Sequence, residues 1–420
     1  MDSLDGLMAN TRIVTAASVA TAVLAIALVV SQQKRSVASG STVQSAPLVA
    51  MPTTPFNEAA VRDRDIEFYS RRAQQDPASA LDRTALASLL FTRSRYTGSM
   101  TDLARADTIA RESIALRTQR NFQAFELLAS ILMARHEFTA ARALAQEADS
   151  LDPGVPSHAV LLGEIDLELG DYTSAAKHFE KVDYSGQRFT IAARLARWHE
   201  VTGHNDIARK LLQQSIVKVD RRDDLPREQI AWFHYRLGEL ELRTGNTAAA
   251  DAAFKEGLKR NPDDIRVLGG LARSALAQQD WQGAIAYGER AIAIQVDPTT
   301  LGTISRAYSA VGDTAQAASY AKAMSVSALT QPGVIHRAWG LFLLDHGNAK
   351  ERATVLGRAR IELRERKDVY GHDLLAWALY RNGDLVEARK EMASALAQHT
   401  QDVMLAEHAR AMGIAPASAN

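Results

Sequence analysis

One small residue returns down this chain at an almost constant interval. It stands at Ala141, Ala175, Ala208, Ala250, Ala284, Ala317 and Ala388, with Arg352 where another is due. The spacings are 34, 33, 42, 34, 33, 35 and 36 residues. Five positions earlier a glycine recurs: Gly170, Gly203, Gly245, Gly312, Gly347 and Gly383. Such a period excludes one irregular globule. It implies stacked supersecondary units, none of which can bury its apolar face alone.

One period shows what the unit is. Residues 231–264 read AWFHYRLGELELRTGNTAAADAAFKEGLKRNPDD. Apolar residues recur at helical spacing on both sides of Thr244-Gly245-Asn246, which predicts two amphipathic helices joined by a turn and ended at Pro262. Glycine in the turn suits the left-handed residue that closes the first helix. Gly238 and Ala250 let the two helices approach closely, and Phe254 fills the space toward the next unit.

The unit resembles the tetratricopeptide repeat. That family's signature is an aromatic, Leu-Gly, Tyr, a turn Gly, Ala, Phe, Ala and a closing Pro over a 34-residue period. The resemblance implies an all-α fold, a right-handed α-solenoid of about eight stacked helix-turn-helix units with capping helices. First helices would line its concave groove. The array is expected over 121–400, with Arg352 as a departure from the pattern. Before it, residues 58–120 are degenerate. Residues 58–75 predict an amphipathic helix ending at Asp76-Pro77, and 82–95 pairs with 103–116 across a longer loop, 96–101. These read as N-terminal capping units, 401–414 as the C-terminal capping helix, and 415–420 as a frayed tail. The 42-residue interval carries a charged insertion at 220–228, expected as an extended loop.

The N-terminal end is different in kind. After a tail at 1–12, residues 13–30 (IVTAASVATAVLAIALVV) carry no charge. As a helix they would span roughly 27 Å, close to the thickness of a bilayer core. Two readings stand: an uncleaved single-pass anchor, or the apolar region of a signal peptide whose cleavage leaves the body exported. Asp2 and Asp5 weaken a signal-peptide start, and Lys34 and Arg35 follow the apolar run, whereas Ser36-Val37-Ala38 offers a cleavage site. Arg12 stands against Lys34 and Arg35, so the side of the body is undetermined. Residues 31–57, with Pro47, Pro52 and Pro55, read as a flexible spacer.

Composition limits the chemistry. With no cysteine there is no disulfide framework, thiol nucleophile or Cys-ligated metal. Lys+Arg and Asp+Glu balance at 49 each, which argues against a nucleic-acid partner held by bulk charge. The balance sums over unlike blocks: residues 121–186 hold 4 basic and 11 acidic side chains, residues 331–367 hold 8 and 4. No GxxxxGK[ST], GxGxxG, Gly-x-Ser-x-Gly or HExxH motif occurs. His234, His336 and His372 open units at the aromatic position and read as packing groups. His199 and His204 straddle the turn at Gly203, out of register for one metal face. Glu164 and Glu168 share a helical face and are expected as a solvated groove wall, because an acid/base pair needs an enclosed pocket. No catalytic residue, cofactor, metal or small-molecule substrate is expected.

What remains is a binding surface. Groove positions of the family, carried over by register, fall on Glu126, Glu164, Glu168, Arg197, Glu200, Trp232, Tyr235, Glu239, Arg243, Arg266, Arg273, Arg306, Arg337, Asp373, Trp377, Tyr380 and Arg381. The resemblance thus implies an acidic start followed by a row of Arg243, Arg266, Arg273, Arg306 and Arg337. An acidic segment of a protein or peptide ligand is expected over that row, since Arg holds carboxylates bidentately. Trp232/Tyr235 and Trp377/Tyr380 are expected as aromatic anchors. The Lys and Asn set of the family's carboxylate clamp is not matched, so a chaperone C-terminus is not implied. The expected function is a membrane-tethered protein-interaction scaffold. The alternative is a structural component of the cell envelope acting through self-association or its convex face.

Overall fold

The computed structural model describes residues 57–182, 189–329 and 336–415. Among them no helix is long and apolar enough to cross a membrane. The tail at 1–12, the apolar stretch 13–30, the spacer to residue 56 and residues 416–420 lie outside the described residues.

The described residues form twenty helices and no strand. A lone α1 (Glu58–Gln75) precedes a hairpin of α2 (Ala80–Thr97) and α3 (Met100–Leu116). Eight pairs follow, numbered here as units one to eight. Units one to four are α4 (Phe122–Ala134) with α5 (Phe138–Leu151), α6 (Pro156–Glu168) with α7 (Tyr172–Glu180), α8 (Phe189–Val201) with α9 (Asn205–Val219), and α10 (Arg227–Arg243) with α11 (Thr247–Arg260). Units five to eight are α12 (Ile265–Ala277) with α13 (Trp281–Ile294), α14 (Pro298–Ala310) with α15 (Thr314–Leu329), α16 (Arg337–His346) with α17 (Ala349–Glu362), and α18 (Val369–Arg381) with α19 (Leu385–Leu396). α20 (Val403–Ala411) closes the array.

The stretch 96–101 is not a long loop. α2 runs to Thr97, and only Gly98-Ser99 joins it to α3. Gly98 takes φ 65°, and the Ser99 side chain accepts from the Asp102 N–H. A left-handed glycine followed by an N-cap serine makes the shortest connection.

Within units, packing follows the repeat. Phe254 is fully buried between two glycines: a Cβ on Gly238 would stand 2.4 Å from its ring, and one on Gly270 of the next unit 2.6 Å. Gly170, Gly203, Gly245, Gly312 and Gly383 all have positive φ. His136 and Gln279 adopt the same conformation in the two units without a turn glycine. Gly347 departs from expectation with φ −79°. There α16 stops after 10 residues, and Asn348 starts α17 through a reciprocal capping box with Glu351. This is the unit of Arg352, whose guanidinium donates to the Gly347 carbonyl at 2.7 Å. α16 packs more extensively on α18 than on its own partner α17.

The array also folds back on itself. The inter-helix turns of units one to three meet the last units and the loop after them, and the turn of unit four, at Gly245, meets Val403 of α20. His136 Nδ1 lies 3.2 Å from Glu362 Oε1. The Lys367 N–H donates to the Glu168 carbonyl at 3.0 Å, and the Val369 N–H to the Tyr172 hydroxyl at 2.9 Å. The Thr400 hydroxyl donates to the Val201 carbonyl, and the Asn205 amide to Gln401 at 3.2 Å. Leu167 and Val201 share one apolar cluster with Leu374, Leu375 and Leu405, so the seam is oily as well as hydrogen-bonded. At the other end α1 reaches α10: Arg62 donates to Glu228 at 2.9 Å, and Glu58 accepts from the Arg227 N–H at 2.7 Å. The turns at Gly312 and Gly383 have nothing within 4 Å of a would-be Cβ.

Candidate functional site: the concave interior

First helices of successive units aim their groove positions inward, and the chain pairs most of these groups itself. Glu200, on α8, is ion-paired with three guanidiniums: Arg243 at 2.6 Å, Arg197 at 3.3 Å and Arg236 at 3.3 Å. Burial pushes its pKa up, but Arg243, Arg197 and Arg236 outweigh burial and hold it at about 2. Glu239 takes Arg273 on both oxygens, at 2.6 and 3.3 Å, with Arg243 at 3.6 Å. It too is held low against burial, by Arg273 and then Arg243.

The same holds nearer the C-terminal units. Arg337 donates to Asp373 at 2.8 Å, and Asp373 is also 2.7 Å from His408 Nδ1. Burial raises the Asp373 pKa, whereas Arg337 and His408 bring it to about 2. Arg266 forks onto Asp264 at 3.0 and 2.6 Å. Arg381 lies 3.1 Å from Asp345, with its guanidinium 5.6 Å from the Trp377 ring centre. Arg306 is exposed and has no ion pair among the described residues.

The aromatic positions divide in the same way. Trp377 is only 8% exposed; it stacks on His408 at 4.1 Å and on half-buried Tyr380 at 5.1 Å, and its indole N–H donates to Asp345 at 2.8 Å. Trp232 is half-buried edge-on against Phe233, and half-buried Tyr235 lies 6.0 Å from Phe254. Trp377 is therefore a core group, whereas Trp232, Tyr235 and Tyr380 keep part of their surface.

Two interior residues escaped the repeat pattern. Tyr96, beside the α2–α3 connection, has Arg62 and Arg266 each 5.0 Å from its ring centre. Tyr370, at the start of α18, has Arg197 at 4.9 Å and Arg337 at 4.8 Å. Each is an aromatic from one end of the array set against two guanidiniums, a favourable cation–π arrangement when desolvated. Neither stands at a family groove position. The one clue to them is the surplus of Arg on first helices. Among the described residues no group of three or more His, Asp or Glu is placed to hold a metal ion.

Stacked antiparallel helix pairs with a charge-paired concave interior define an α-solenoid, a fold that is typically a non-catalytic scaffold for protein interactions. The tetratricopeptide repeat family model matches residues 127–187 and 235–297, which supports that family for this chain. Among solved structures the chain is similar to Pseudomonas aeruginosa PilF at 14% identity and TM-score 0.41, covering 53% of this chain and 97% of that one. It is similar to PilW, a type IV pilus biogenesis factor, at 15% identity and TM-score 0.43, covering 51% and 96%. It is similar to the human IFIT1 dimer with PPP-AAAA at 14% identity and TM-score 0.43, covering 80% and 94%. No curated protein matches.

Proposed function

We propose that the protein is a tethered interaction scaffold that holds an extended, acidic segment of a protein partner on its concave face. Arg306 carries this reading: it is the one member of the Arg row that is exposed without an ion pair among the described residues. The remainder of the row (Arg243, Arg266, Arg273 and Arg337) is charged but already engaged, so a ligand would exchange its carboxylates for Glu200, Glu239, Asp264 or Asp373. Trp232, Tyr235, Tyr380 and Arg381 would flank the bound segment, with Trp377 beneath. Residues 13–30 would tether the body to a membrane or, if cleaved, direct its export. No catalytic step is assigned to it.

The test is capture of partners by residues 57–420, with Arg306→Glu as the informative variant. Its exposure means the fold survives reversal. Saturable binding that weakens in Arg306→Glu supports the reading, and equal binding sinks it. A second reading, self-association through the convex face, is favoured by exposed Val386 (79%) and Ile361 (58%) on second helices. Oligomers that grow with concentration in the absence of a ligand would select it. Proteolysis of intact cells would show which side the body occupies.

A further inference from the structure

The fold-back contacts follow one rule. With the α2–α3 hairpin counted as place zero, the turn at each place lies against the connection that leaves the unit five places on. The hairpin turn, at Gly98, meets Gln295 after unit five: a Cβ on the glycine would stand 2.6 Å from the Gln295 amide nitrogen. The His136 ring of unit one lies 5.2 Å from His336, which precedes unit seven. Gly170 meets Lys367 after unit seven, and Gly203 meets His399 after unit eight. Gly245 of unit four meets Val403, where α20 begins. The array is thus a superhelix whose turn edge is bonded to its own connection edge, one superhelical turn later.

Beyond that stretch both edges are bare among the described residues. The turns of units five, six and eight are exposed, and Gly312 and Gly383 have nothing within 4 Å of a would-be Cβ. On the other edge residues 116–120, after α3, are exposed, and Gly154, after unit one, has nothing within 4 Å. The two edges differ in charge. Asp280, Asp313 and Asp384 stand exposed on the free turns, whereas Arg117 and Arg120 stand on the connection after α3, beside Leu116 at 46% exposure. None of these five charges has an ion pair among the described residues.

The two ends of the array are half-units. α20 has the character of a first helix: Gly413 takes φ 73°, and the Ile414 N–H donates to the Ala409 carbonyl at 2.9 Å, as the Asp384 N–H donates to the Leu379 carbonyl at 3.0 Å in the turn of unit eight. α1 has the character of a second helix. It packs on α2 as α5 packs on α6, and it closes at Asp76-Pro77 as α5 closes at Asp152-Pro153. Among the described residues α20 has no second helix and α1 no first helix.

We propose that these ends and edges bind a second copy of this chain head to tail, with α1 of one copy completing the unit that α20 of the other begins. Place nine is then shared, and the second copy's hairpin takes place ten. The step of five carries Arg117 and Arg120 over Asp280 of unit five, and Pro153-Gly154 over Gly312 of unit six. Opposite charges meet at the first contact. At the second, a glycine without a neighbour admits backbone, as Gly170 and Gly203 do within the chain. The contact joins unlike surfaces by a screw, so it leaves one bare edge at each end and adds copies without closing. It uses neither the concave face nor the convex one.

The experiment is sedimentation velocity of the full-length chain in detergent, over a range of protein concentrations. The wild type should give a ladder of sizes that lengthens with concentration. Arg117→Glu with Arg120→Glu blocks the connection edge, and Val311→Arg with Leu385→Arg blocks the turn edge. All four side chains are exposed, so the fold is kept, which an unchanged melting temperature verifies. Each double variant alone should associate about tenfold more weakly or worse. Mixed in equal amounts, the two should recover a dimer and nothing larger, because each retains one intact edge. Self-association through a convex patch would ignore both variants. The proposal is overturned if the wild type keeps one mass at every concentration, as it would were residues before Asn57 to cover the edges. A closed dimer that stops growing, a double variant that associates as the wild type does, or a mixture that stays monomeric would overturn it equally. Partner capture that weakens in Arg306→Glu would hold the scaffold reading whichever of these results appears.

Discussion

Gly203 lies flat against His399: a Cβ placed on it would stand 2.5 Å from the His399 carbonyl oxygen. The contact joins the turn of unit three to the loop between α19 and α20. Gly170 repeats it one unit earlier, with its would-be Cβ 2.4 Å from the Lys367 carbonyl oxygen. Both glycines are left-handed, as the cap of a first helix requires, and both also let the seam close.

These two roles separate by mutation. Alanine in the left-handed region costs about 1–2 kcal/mol wherever it falls. Gly383→Ala, at φ 92° with nothing within 4 Å, should show that cost alone. Gly170→Ala and Gly203→Ala should lose clearly more, because backbone carbonyls cannot step aside as a flexible side-chain tip can. Urea unfolding of the three variants checks the ordering; three equal losses would mean the seam contributes nothing.

Phe254 tests the packing inside the stack. It is fully buried between units four and five, held between Gly238 and Gly270. Phe254→Ala should cost about 3–5 kcal/mol, and Gly270→Ala should also destabilise, by overpacking the same space. Thermal unfolding reads both.

Much of this was legible from residue types. Gly238, Ala250 and Phe254 are chosen by close helix packing that recurs along the array, as at Gly163 and Phe179, so their period exposes them. The seam was not legible. Several of its donors and acceptors are backbone groups, such as the Lys367 N–H and the Val201 carbonyl, which any residue supplies, and its side-chain partners follow no period. Groove positions were found by register, but register says nothing about which carboxylate an arginine will meet. Glu239 and Arg273 both appeared as ligand groups, whereas the fold brings them to 2.6 Å of each other. Arg352 was the visible sign of the irregular seventh unit, whereas Gly347 read as an ordinary turn glycine and the early stop of α16 left no mark in the pattern.

Glu200 should be costly to neutralise. Glu200→Gln leaves Arg197, Arg236 and Arg243 without their shared counter-charge, an expected loss of about 3–5 kcal/mol. The pH dependence follows from the same site. Glu200 and Asp373 titrate at about 2 in the folded chain, below their ordinary values of 4.5 and 3.8. The unfolded chain therefore binds more protons in that window, and the stabilisation, complete above the ordinary values, is lost as pH falls toward 2. Melting temperature should drop across that window in the wild type and less steeply in Glu200→Gln.

Tyr370 gives a prediction of the opposite kind. Its ring sits beside Arg197 and Arg337, but its buried hydroxyl has no hydrogen-bond partner among the described residues. Tyr370→Phe should be as stable as the wild type, since an unpaired buried hydroxyl costs free energy. Tyr370→Ala should lose about 3–5 kcal/mol through the cavity it leaves. Chemical denaturation of the pair distinguishes ring from hydroxyl.

The seam has a further consequence, for ancestry and for cooperativity. Open repeat arrays grow and shrink by duplication, because each unit answers only to its neighbours. Here units one to three are bonded to units seven and eight and to the loop that follows them, across about 200 residues of sequence, as in the Thr400–Val201 pair. Adding or removing one unit would move every such contact out of register. The number of units is thereby fixed, and the array should melt in one transition instead of fraying from its ends.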